Sequence, residues 1–319
     1  MKKSIFAIST LMTLTTGVVF GQQEKLLTHF IYDRMSINPG STGLDNGISG
    51  TMIYRNQWDK VNGAPNSLLF NAEANASPIY GGVGLSFYHD AIGEMKQNNL
   101  ILNYSLHMPL TINGAYRGTL GAGLGLGLVN IGFDPLWIPP TDINDPLLPK
   151  ATSGGALDLN FGLFWRGNSN PMRPYYVGLS ATHLTQAEIK NVNFSNARHL
   201  FMIGGYTMFD VFGEGKSLDF QLLSRTDLVK YSAELNARYL HTLNKQRNTS
   251  VYGGLTYRIS DGVGLMLGYV QGPLTVGYSY DITLNKLRDI SKGSHEFVLR
   301  YVKLIPPPPV QKAKHPRWL

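Results

Sequence analysis

The segment from Gly118 to Asn130, GTLGAGLGLGLVN, constrains the fold more than any other part of the chain. Glycine occupies every second position at Gly121, Gly123, Gly125 and Gly127, and Leu124, Leu126 and Leu128 occupy alternate positions. A period of two residues is that of a β-strand, whereas neighbours on a helix face recur at three and four. One side of this strand is therefore apolar and the other side is bare backbone.

The same period recurs along most of the chain. In NNLILNYSLHM the even positions from Leu100 to Met108 are apolar and most odd positions are polar, and SLLFNAEANA, ALDLNFGLFW and YSAELNARYL alternate in the same way. These segments have roughly the 9–11 residues that a tilted strand needs to cross a bilayer. We predict about fourteen strands, an even number as bacterial single-chain barrels require. Their predicted first residues are Ser49, Ser67, Gly81, Gln97, Gly118, Ala156, Tyr175, His199, Ser217, Tyr231, Ser250, Gly262, Leu274 and Ser294.

The first residues and the composition favour a barrel in a membrane. Lys2 and Lys3, an apolar run from Ile5 to Phe20 and the small Gly21 have the order of a secretory signal, so residues 1–21 are predicted to be a signal peptide. Only 15% of the residues are charged, 35 are glycine and 17 are tyrosine, whereas about 25% of residues in soluble domains are charged. An all-β fold, a transmembrane antiparallel β-barrel of an outer membrane, is therefore preferred to a secreted β-sandwich.

The lengths of the connections orient the predicted barrel. If the first strand runs outward, the longest connections, Gly132–Gly155 and Gln186–Arg198, both lie outside, as the longer loops of such barrels do. We expect these loops to recognise a partner, because binding residues concentrate on loops. The barrel, predicted over residues 47–302, then leaves both chain termini in the periplasm.

Two segments lie beyond the predicted strands. Residues 22–46 are irregular, and Asn38-Pro39-Gly40 marks a turn. Because a run of strand glycines indicates either a bend or a closely approaching backbone, we predict that residues 22–46 enter the lumen, pack against the glycines and plug the barrel; a sharp bend is the alternative. Residues 303–319 are proline-rich and basic, which predicts an extended periplasmic tail.

Charged residues on the polar side of the strands carry both signs, which favours ion pairs inside the lumen over a selectivity filter of one sign. They form either a structural network or a set that holds a plug or a passing chain. These residues are Arg55, Glu73, Asp158, Asp219, Arg225, Glu234, Arg238, Arg258, Asp281, Glu296 and Arg300.

No pattern of residues predicts catalysis, a cofactor or a metal. The histidines at 89, 107, 183 and 199 have no spacing that would bring a nucleophile and an orienting group to them. Asp142, Asn144 and Asp145 offer oxygen ligands but lack the glycine and distal glutamate of a calcium loop. The basic residues are scattered, which argues against a nucleic-acid partner.

Several short strings, taken in their order along the chain, resemble the PorP/SprF family over about residues 37–301. The strings are INPGSTG, YRNQWDKVNGAPNS, YHDAIG, GLSATHLTQ and YSYDITLNKL with GSHEFVLRY. The resemblance implies an outer-membrane barrel of the type IX secretion and gliding apparatus of Bacteroidota, working with secreted adhesins or with periplasmic components. The resemblance does not assign roles to the individual residues at the motif positions. Those positions are Asn38, Pro39, Arg55, Trp58, Gly63, Pro65, His89, Asp90, His183, Leu184, Asp281, His295 and Glu296.

The sequence therefore predicts a non-enzymatic protein, embedded in outer-membrane lipid, that anchors a secreted surface adhesin and contacts the periplasmic secretion machinery. A passive channel or hydrophobic-solute transporter is the main alternative. A barrel hydrolase is a more distant one.

Overall fold

The structure is a computed structural model that describes residues 25–45, 47–133, 151–167, 170–189, 192 and 194–305. Over these ranges fourteen strands form a closed antiparallel barrel, in which each strand pairs with its neighbours and the last strand closes on the first. A separate two-stranded hairpin lies between the seventh and eighth barrel strands. The predicted fold class and strand number are confirmed.

The barrel strands are β1 (Gly47–Asn56), β2 (Asn66–Ala76), β3 (Gly81–Ile92), β4 (Met95–Ile112), β5 (Ala115–Phe133), β6 (Thr152–Gly167), β7 (Tyr175–Thr182), β10 (His199–Met208), β11 (Lys216–Thr226), β12 (Tyr231–Asn244), β13 (Thr249–Arg258), β14 (Gly262–Gln271), β15 (Leu274–Thr283) and β16 (Ser294–Leu304). The separate hairpin consists of β8 (Glu188–Ile189) and β9 (Phe194–Ser195). No helix among the described residues is long and apolar enough to cross a membrane.

The two faces of the barrel differ as the alternating sequence predicts. On β5, Leu124, Leu126 and Leu128 point outward and are 55–58% exposed, while Val129 and Ile131 point inward and are buried. An exposed apolar face is stable in lipid and costly in water. Most inward positions are polar and buried, because the interior of the barrel is filled with protein.

The predicted strand boundaries are close to the observed ones. The largest offset is on β6, which begins at Thr152 rather than Ala156. The last strand also continues past the predicted barrel end at residue 302, since Lys303 pairs with Ile48 and Leu304 pairs with Gly47. The predicted signal peptide and residues 306–319 of the tail lie outside the described residues.

The two ends of the barrel carry connections of different length. One end, the long-loop end, carries residues 57–65, 134–151, 183–198 and 284–293. The other end, the short-turn end, carries brief turns such as residues 113–114 and 272–273, together with Gly47 and Leu304. The hairpin at the long-loop end folds inward, because Ile189 is buried against Val129 and Ile131 of β5.

Candidate functional site: the lumen segment and its wall

Residues 25–45, here called the lumen segment, run through the interior of the barrel. At the long-loop end the Arg225 guanidinium donates a hydrogen bond to the Lys25 carbonyl oxygen over 2.7 Å. At the short-turn end Asp45 lies 3.6 Å from Arg300 of β16. Three short helical turns build the segment: Phe30–Tyr32, Arg34–Ile37 and Pro39–Ser41.

The first described residue of the lumen segment, Lys25, lies at the long-loop end, whereas Leu304 lies at the short-turn end. The predicted start of the mature chain at residue 22 lies outside the described residues. The side of the membrane that each terminus faces stays a prediction.

The apolar side chains of the lumen segment form the core of the protein. Phe30 is 1% exposed and packs with neighbouring segment residues against inward-facing side chains of the wall. The core consists of Leu27, Phe30, Ile31, Ile37, Leu44, Ile53, Leu69, Phe164, Phe201, Ile203, Leu223 and Val298. Burying these groups stabilises the segment inside the barrel through the hydrophobic effect.

A buried group of hydrogen bonds, here called the upper cluster, joins Thr28 and His29 to Arg55, Asp281 and Glu296. The Glu296 carboxylate accepts from the backbone amides of Thr28 and His29 over 2.8 and 2.7 Å. Asp281 accepts from the Thr28 hydroxyl over 2.8 Å and from Arg55 over 2.7 Å. Arg55 also lies 3.2 Å from Glu296.

The structure therefore brings together three of the motif residues in the resemblance, Arg55, Asp281 and Glu296, and joins them to the chain in the lumen. A buried charge needs both an opposite charge and hydrogen bonds. Here the backbone amides of Thr28 and His29 supply two of the hydrogen bonds to the buried charge of Glu296. Displacing Thr28 and His29 would leave Glu296 without those donors.

The turn Asn38-Pro39-Gly40 lies against bare backbone of the wall. The Asn38 carboxamide donates to the carbonyl oxygens of Leu163 and Leu179, over 3.0 and 3.2 Å, across the seam between β6 and β7. Its own oxygen accepts from the Gly40 amide over 2.9 Å, which fixes the turn. Asn38 thus bonds both to its own turn and to two wall strands.

Four glycines, here called the glycine wall, make this contact geometrically feasible. A Cβ atom at Gly121 or Gly123 would overlap the backbone of Gly40 or Pro39. A Cβ at Gly162 would overlap the Asn38 side chain, and one at Gly178 would lie 2.6 Å from Asn38 Nδ2. The glycines therefore mark a close approach of a second backbone, which was one of the two interpretations of the glycine run.

The remaining two glycines of that run have different neighbours. A Cβ at Gly125 would meet the Asn103 side chain at 2.6 Å, and one at Gly127 would meet Ile101 at 3.1 Å. Side chains from β4, and not the lumen segment, thus lie nearest to these two positions. The contact of the lumen segment covers half of the predicted run, because Pro39 and Gly40 lie against Gly123 and Gly121 while Asn38 contacts β6 and β7.

The short-turn end of the lumen segment is held by a group of charges, here called the lower cluster. Asp45 pairs with Arg34 over 2.7 Å, with Arg166 over 3.1 Å and with Arg300 over 3.6 Å. The Arg34 guanidinium holds the pKa of the Asp45 carboxyl below its ordinary value of 3.8, and Arg300 and Arg166 add to that effect against burial. Near it, the Gly43 amide donates to Glu73 over 2.8 Å.

Three motif positions lie in the connection 57–65 at the long-loop end. The Trp58 amide donates to Ser294 Oγ over 3.1 Å, and the Pro65 carbonyl accepts from Gln57 over 2.9 Å. Gly63 has φ 72°, a left-handed conformation that favours glycine. These residues shape the loop between β1 and β2.

The other motif residues bond to neighbouring strands and loops. The His183 ring lies 2.8 Å from the Asp158 carboxylate, and the Leu184 amide donates to the Leu159 carbonyl over 2.9 Å. The remaining contacts, over 2.6–2.8 Å, join His89 to Asn98, Asp90 to Ser67 and His295 to Tyr278.

Sequence reasoning missed several residues of this site. Gly162 lies on the polar side of the alternating segment ALDLNFGLFW and carries the same signal as the glycines of β5. No signal marked Thr28, His29 or Asp45, because the strand residues that they contact lie far away in sequence.

The described part of the chain contains no group of three or more His, Cys, Asp or Glu residues arranged to hold a metal ion. The candidate calcium ligands Asp142, Asn144 and Asp145 lie outside the described residues.

A closed antiparallel ring with an apolar outer face defines an outer-membrane β-barrel. The family described as type IX secretion system membrane protein PorP/SprF matches residues 19–301, and the chain belongs to that family. The match includes the whole lumen segment, and the predicted resemblance is confirmed. No curated protein sequence matches the chain.

Several solved structures are similar to this chain at low sequence identity. The toluene transporter TbuX of Ralstonia pickettii is 11% identical, with a TM-score of 0.49 and coverage of 85% of this chain and 93% of that one. The CymD monoaromatic hydrocarbon channel is 10% identical, with a TM-score of 0.48 and coverage of 90% and 95%. Omp33 of Acinetobacter baumannii is 8% identical, with a TM-score of 0.44 and coverage of 82% and 100%.

Proposed function

We propose that this protein is a non-enzymatic outer-membrane partner of the type IX secretion and gliding system, which holds a secreted surface adhesin at the long-loop end and contacts periplasmic machinery at the short-turn end. The observation that carries the proposal is the lumen segment, which occupies the barrel from one end to the other. A barrel filled by its own chain presents surfaces for binding. Family membership supplies the secretion system as the setting.

Contacts along the lumen segment support a closed lumen. The upper cluster, the glycine wall and the lower cluster fix the segment at three heights in the barrel. Beside Lys25 and Leu27 the cavities measure about 40 and 10 Å³, which accommodate a few water molecules at most. A larger cavity of about 370 Å³, lined by Leu26, His199 and Arg225, lies at the long-loop end.

We propose that client recognition involves residues 132–155 and the exposed part of the connection 186–198. Ile189 is buried inside the mouth of the barrel, while Gln186 and Glu188 are exposed beside it. The inward fold of the hairpin leaves Gln186 and Glu188 exposed at the rim of the mouth. The proposed orientation, with the long-loop end outside the cell, follows the usual asymmetry of loop lengths in outer-membrane barrels.

The proposal is tested by surface display of the client. Residues 134–150 are replaced by a short glycine-containing turn, and Gln186 and Glu188 are changed to alanine, while Ile189 is kept so that the mouth stays packed. We expect the barrel to assemble and the surface protein to be released into the medium. Arg247→Ala, in a turn at the short-turn end, is the control. Unchanged display in the loop variant would refute client recognition by these loops.

A conductance measurement separates the proposal from the passive channel or hydrophobic-solute transporter. Purified full-length protein in a planar bilayer should show no steady conductance. A variant without residues 25–45 should show steady conductance, because its lumen is no longer filled by the lumen segment. Steady conductance of the intact protein would favour the channel.

A further inference from the structure

The outer face of the barrel carries a recess of about 770 Å³ between strands β7 and β14, here called the wall recess. Gly204 on β10 and Ala237 on β12 leave this space, since neither has a large side chain. Tyr206, Phe220 and Leu235 beside them are 41–54% exposed, so the recess opens to the outside of the barrel. The larger side chains that line it include Tyr175, Tyr206, Phe220, Leu235, Leu255 and Tyr257.

The wall recess has the length and the chemistry of a hydrocarbon site. Its outward-facing lining is apolar apart from the tyrosine hydroxyls. It crosses six neighbouring strands from β7 to β14, and five spacings of about 4.8 Å give a length of about 24 Å. A lipid acyl chain crosses about 15 Å, which is half of the hydrocarbon core. The recess is therefore long enough for an acyl chain.

Two cations lie beyond the short-turn end of the wall recess. Arg173 precedes Tyr175, which lines the recess, by two residues. Lys216 begins β11 and lies on the same face of that strand as Phe220, four residues further on. At about 3.4 Å per residue these separations are at most about 7 and 14 Å along the chain. Long basic side chains at this place reach the headgroup level of a lipid whose chain lies in the recess.

Neither of these cations forms an ion pair with a carboxylate in the part of the chain that the structure describes. The Arg173 guanidinium donates to two backbone carbonyl oxygens over 2.8 and 2.7 Å, which are neutral acceptors. Glu214, in the connection that leads to Lys216, pairs with Lys245 instead. A phosphate would supply the missing negative charge, and it is an acceptor that both arginine and lysine bind well.

We propose that the wall recess, Arg173 and Lys216 form a binding site for one anionic glycerophospholipid. An acyl chain fills the recess, and the phosphate pairs with the two cations at its short-turn end. A phospholipid has the same layout as the site, with charge at one end and hydrocarbon along the rest. The inference goes beyond the proposed function, because it concerns the membrane-facing wall and not the loops that hold a client.

The headgroup part of the site is tested with purified full-length protein in detergent. Binding of dioleoyl phosphatidylglycerol is measured by native mass spectrometry and compared with dioleoyl phosphatidylcholine, which has no net charge. We expect one phosphatidylglycerol per protein, bound about tenfold more tightly than phosphatidylcholine. Lys216→Gln should reduce this preference to about twofold, because one cation is lost. Lys286→Gln, which removes an exposed cation at the long-loop end, should leave the preference unchanged.

The hydrocarbon part of the site is tested by filling the wall recess. The nearest atom to a new Cβ at Gly204 is the Tyr176 carbonyl oxygen at 3.7 Å, so Gly204→Leu should be accommodated without moving the strand. This variant should bind both lipids about tenfold more weakly, because its side chain occupies the space of the acyl chain. Gly50→Leu is the matched control. Gly50 lies on β1 at the opposite side of the barrel, where a new Cβ has no atom within 4 Å.

The comparison of the two lipids uses the wild-type protein, so it does not depend on the assembly of a variant. Equal binding of phosphatidylglycerol and phosphatidylcholine by the wild type would overturn the inference. Equal lipid binding by Gly204→Leu and Gly50→Leu would also overturn it. If the wild type were a dimer and only Gly204→Leu made it monomeric, a second copy of the chain, and not a lipid, would cover the recess.

Discussion

Replacing Gly123 with alanine should unseat the lumen segment without opening the β-barrel. A Cβ at Gly123 would overlap the Pro39 backbone, which cannot move aside like a flexible side chain. The turn must therefore leave the glycine wall. The barrel hydrogen bonds of β5 are unaffected, since alanine keeps the backbone amide.

The magnitude follows from the hydrogen bonds that the displaced turn would lose. Asn38 donates to two wall carbonyls, and the Ser105 and Ser180 hydroxyls donate to the Gly40 and Ile37 carbonyls over 2.9 and 2.6 Å. At about 1 kcal/mol each, these contribute about 4 kcal/mol. The strand propensity of alanine acts equally on the seated and the unseated state, because β5 stays paired in both. The seated state should thus lose about 4 kcal/mol, or about 1,000-fold in population.

The assay is maleimide labelling of a single cysteine at position 42. The chain has no cysteine. Thr42 is fully buried, and within the described residues its hydroxyl has no hydrogen-bond partner, so Thr42→Cys sacrifices no bond. In the Gly123→Ala background we expect labelling to be about 1,000-fold faster.

The control is Gly132→Ala on the same strand, where the nearest atom to a new Cβ lies 3.9 Å away. This variant should keep position 42 protected. If Gly123→Ala left the cysteine as slow to react as Gly132→Ala does, the glycine wall would not be what seats the segment.

Three further predictions concern the ends of the lumen segment and the tail. Glu296→Gln should lower the free energy of unfolding by about 3–5 kcal/mol, because buried Arg55 loses a charged partner, while the exposed Glu214→Gln should be neutral in the same thermal melt. The folded-state pKa of Asp45 is lowered, so its stabilisation is complete above its ordinary value of 3.8 and is lost as the pH falls through the folded value; Asp45→Asn should flatten that acid limb of a stability–pH curve. Removing residues 306–319 should spare barrel assembly, as judged by membrane fractionation, and weaken a periplasmic contact; loss from the membrane would show that the tail is structural.

The alternating residues of the sequence were enough to predict the barrel. Side chains such as Leu124, Leu126 and Leu128 face lipid while their neighbours face the interior, and this alternation is imposed residue by residue along each strand. The number of strands and their approximate starts followed from that local rule, whereas for the glycines it left both a bend and the close approach of a second backbone open.

The partners across the lumen could not be predicted from the sequence. Arg55 and Asp281 are separated by 226 residues and meet because β1 closes on β16 and β15 lies next to it. The register shift between neighbouring strands adds up around the closed barrel. This sum determines which residues lie at the same height in the lumen. Local periodicity places a charge inside the barrel but contains no information on that accumulated stagger.

The limit of local periodicity also explains why the sequence did not predict which glycines contact the lumen segment. Sequence alternation made Gly121, Gly123, Gly125 and Gly127 equivalent, yet the lumen segment covers only the first two of them, together with Gly162 on β6. The sequence by itself determined that this wall is bare, because glycine has no side chain in any fold. Only the tertiary structure decided which part of the bare wall is covered, because the path of the lumen segment is set by contacts at both ends of the closed barrel.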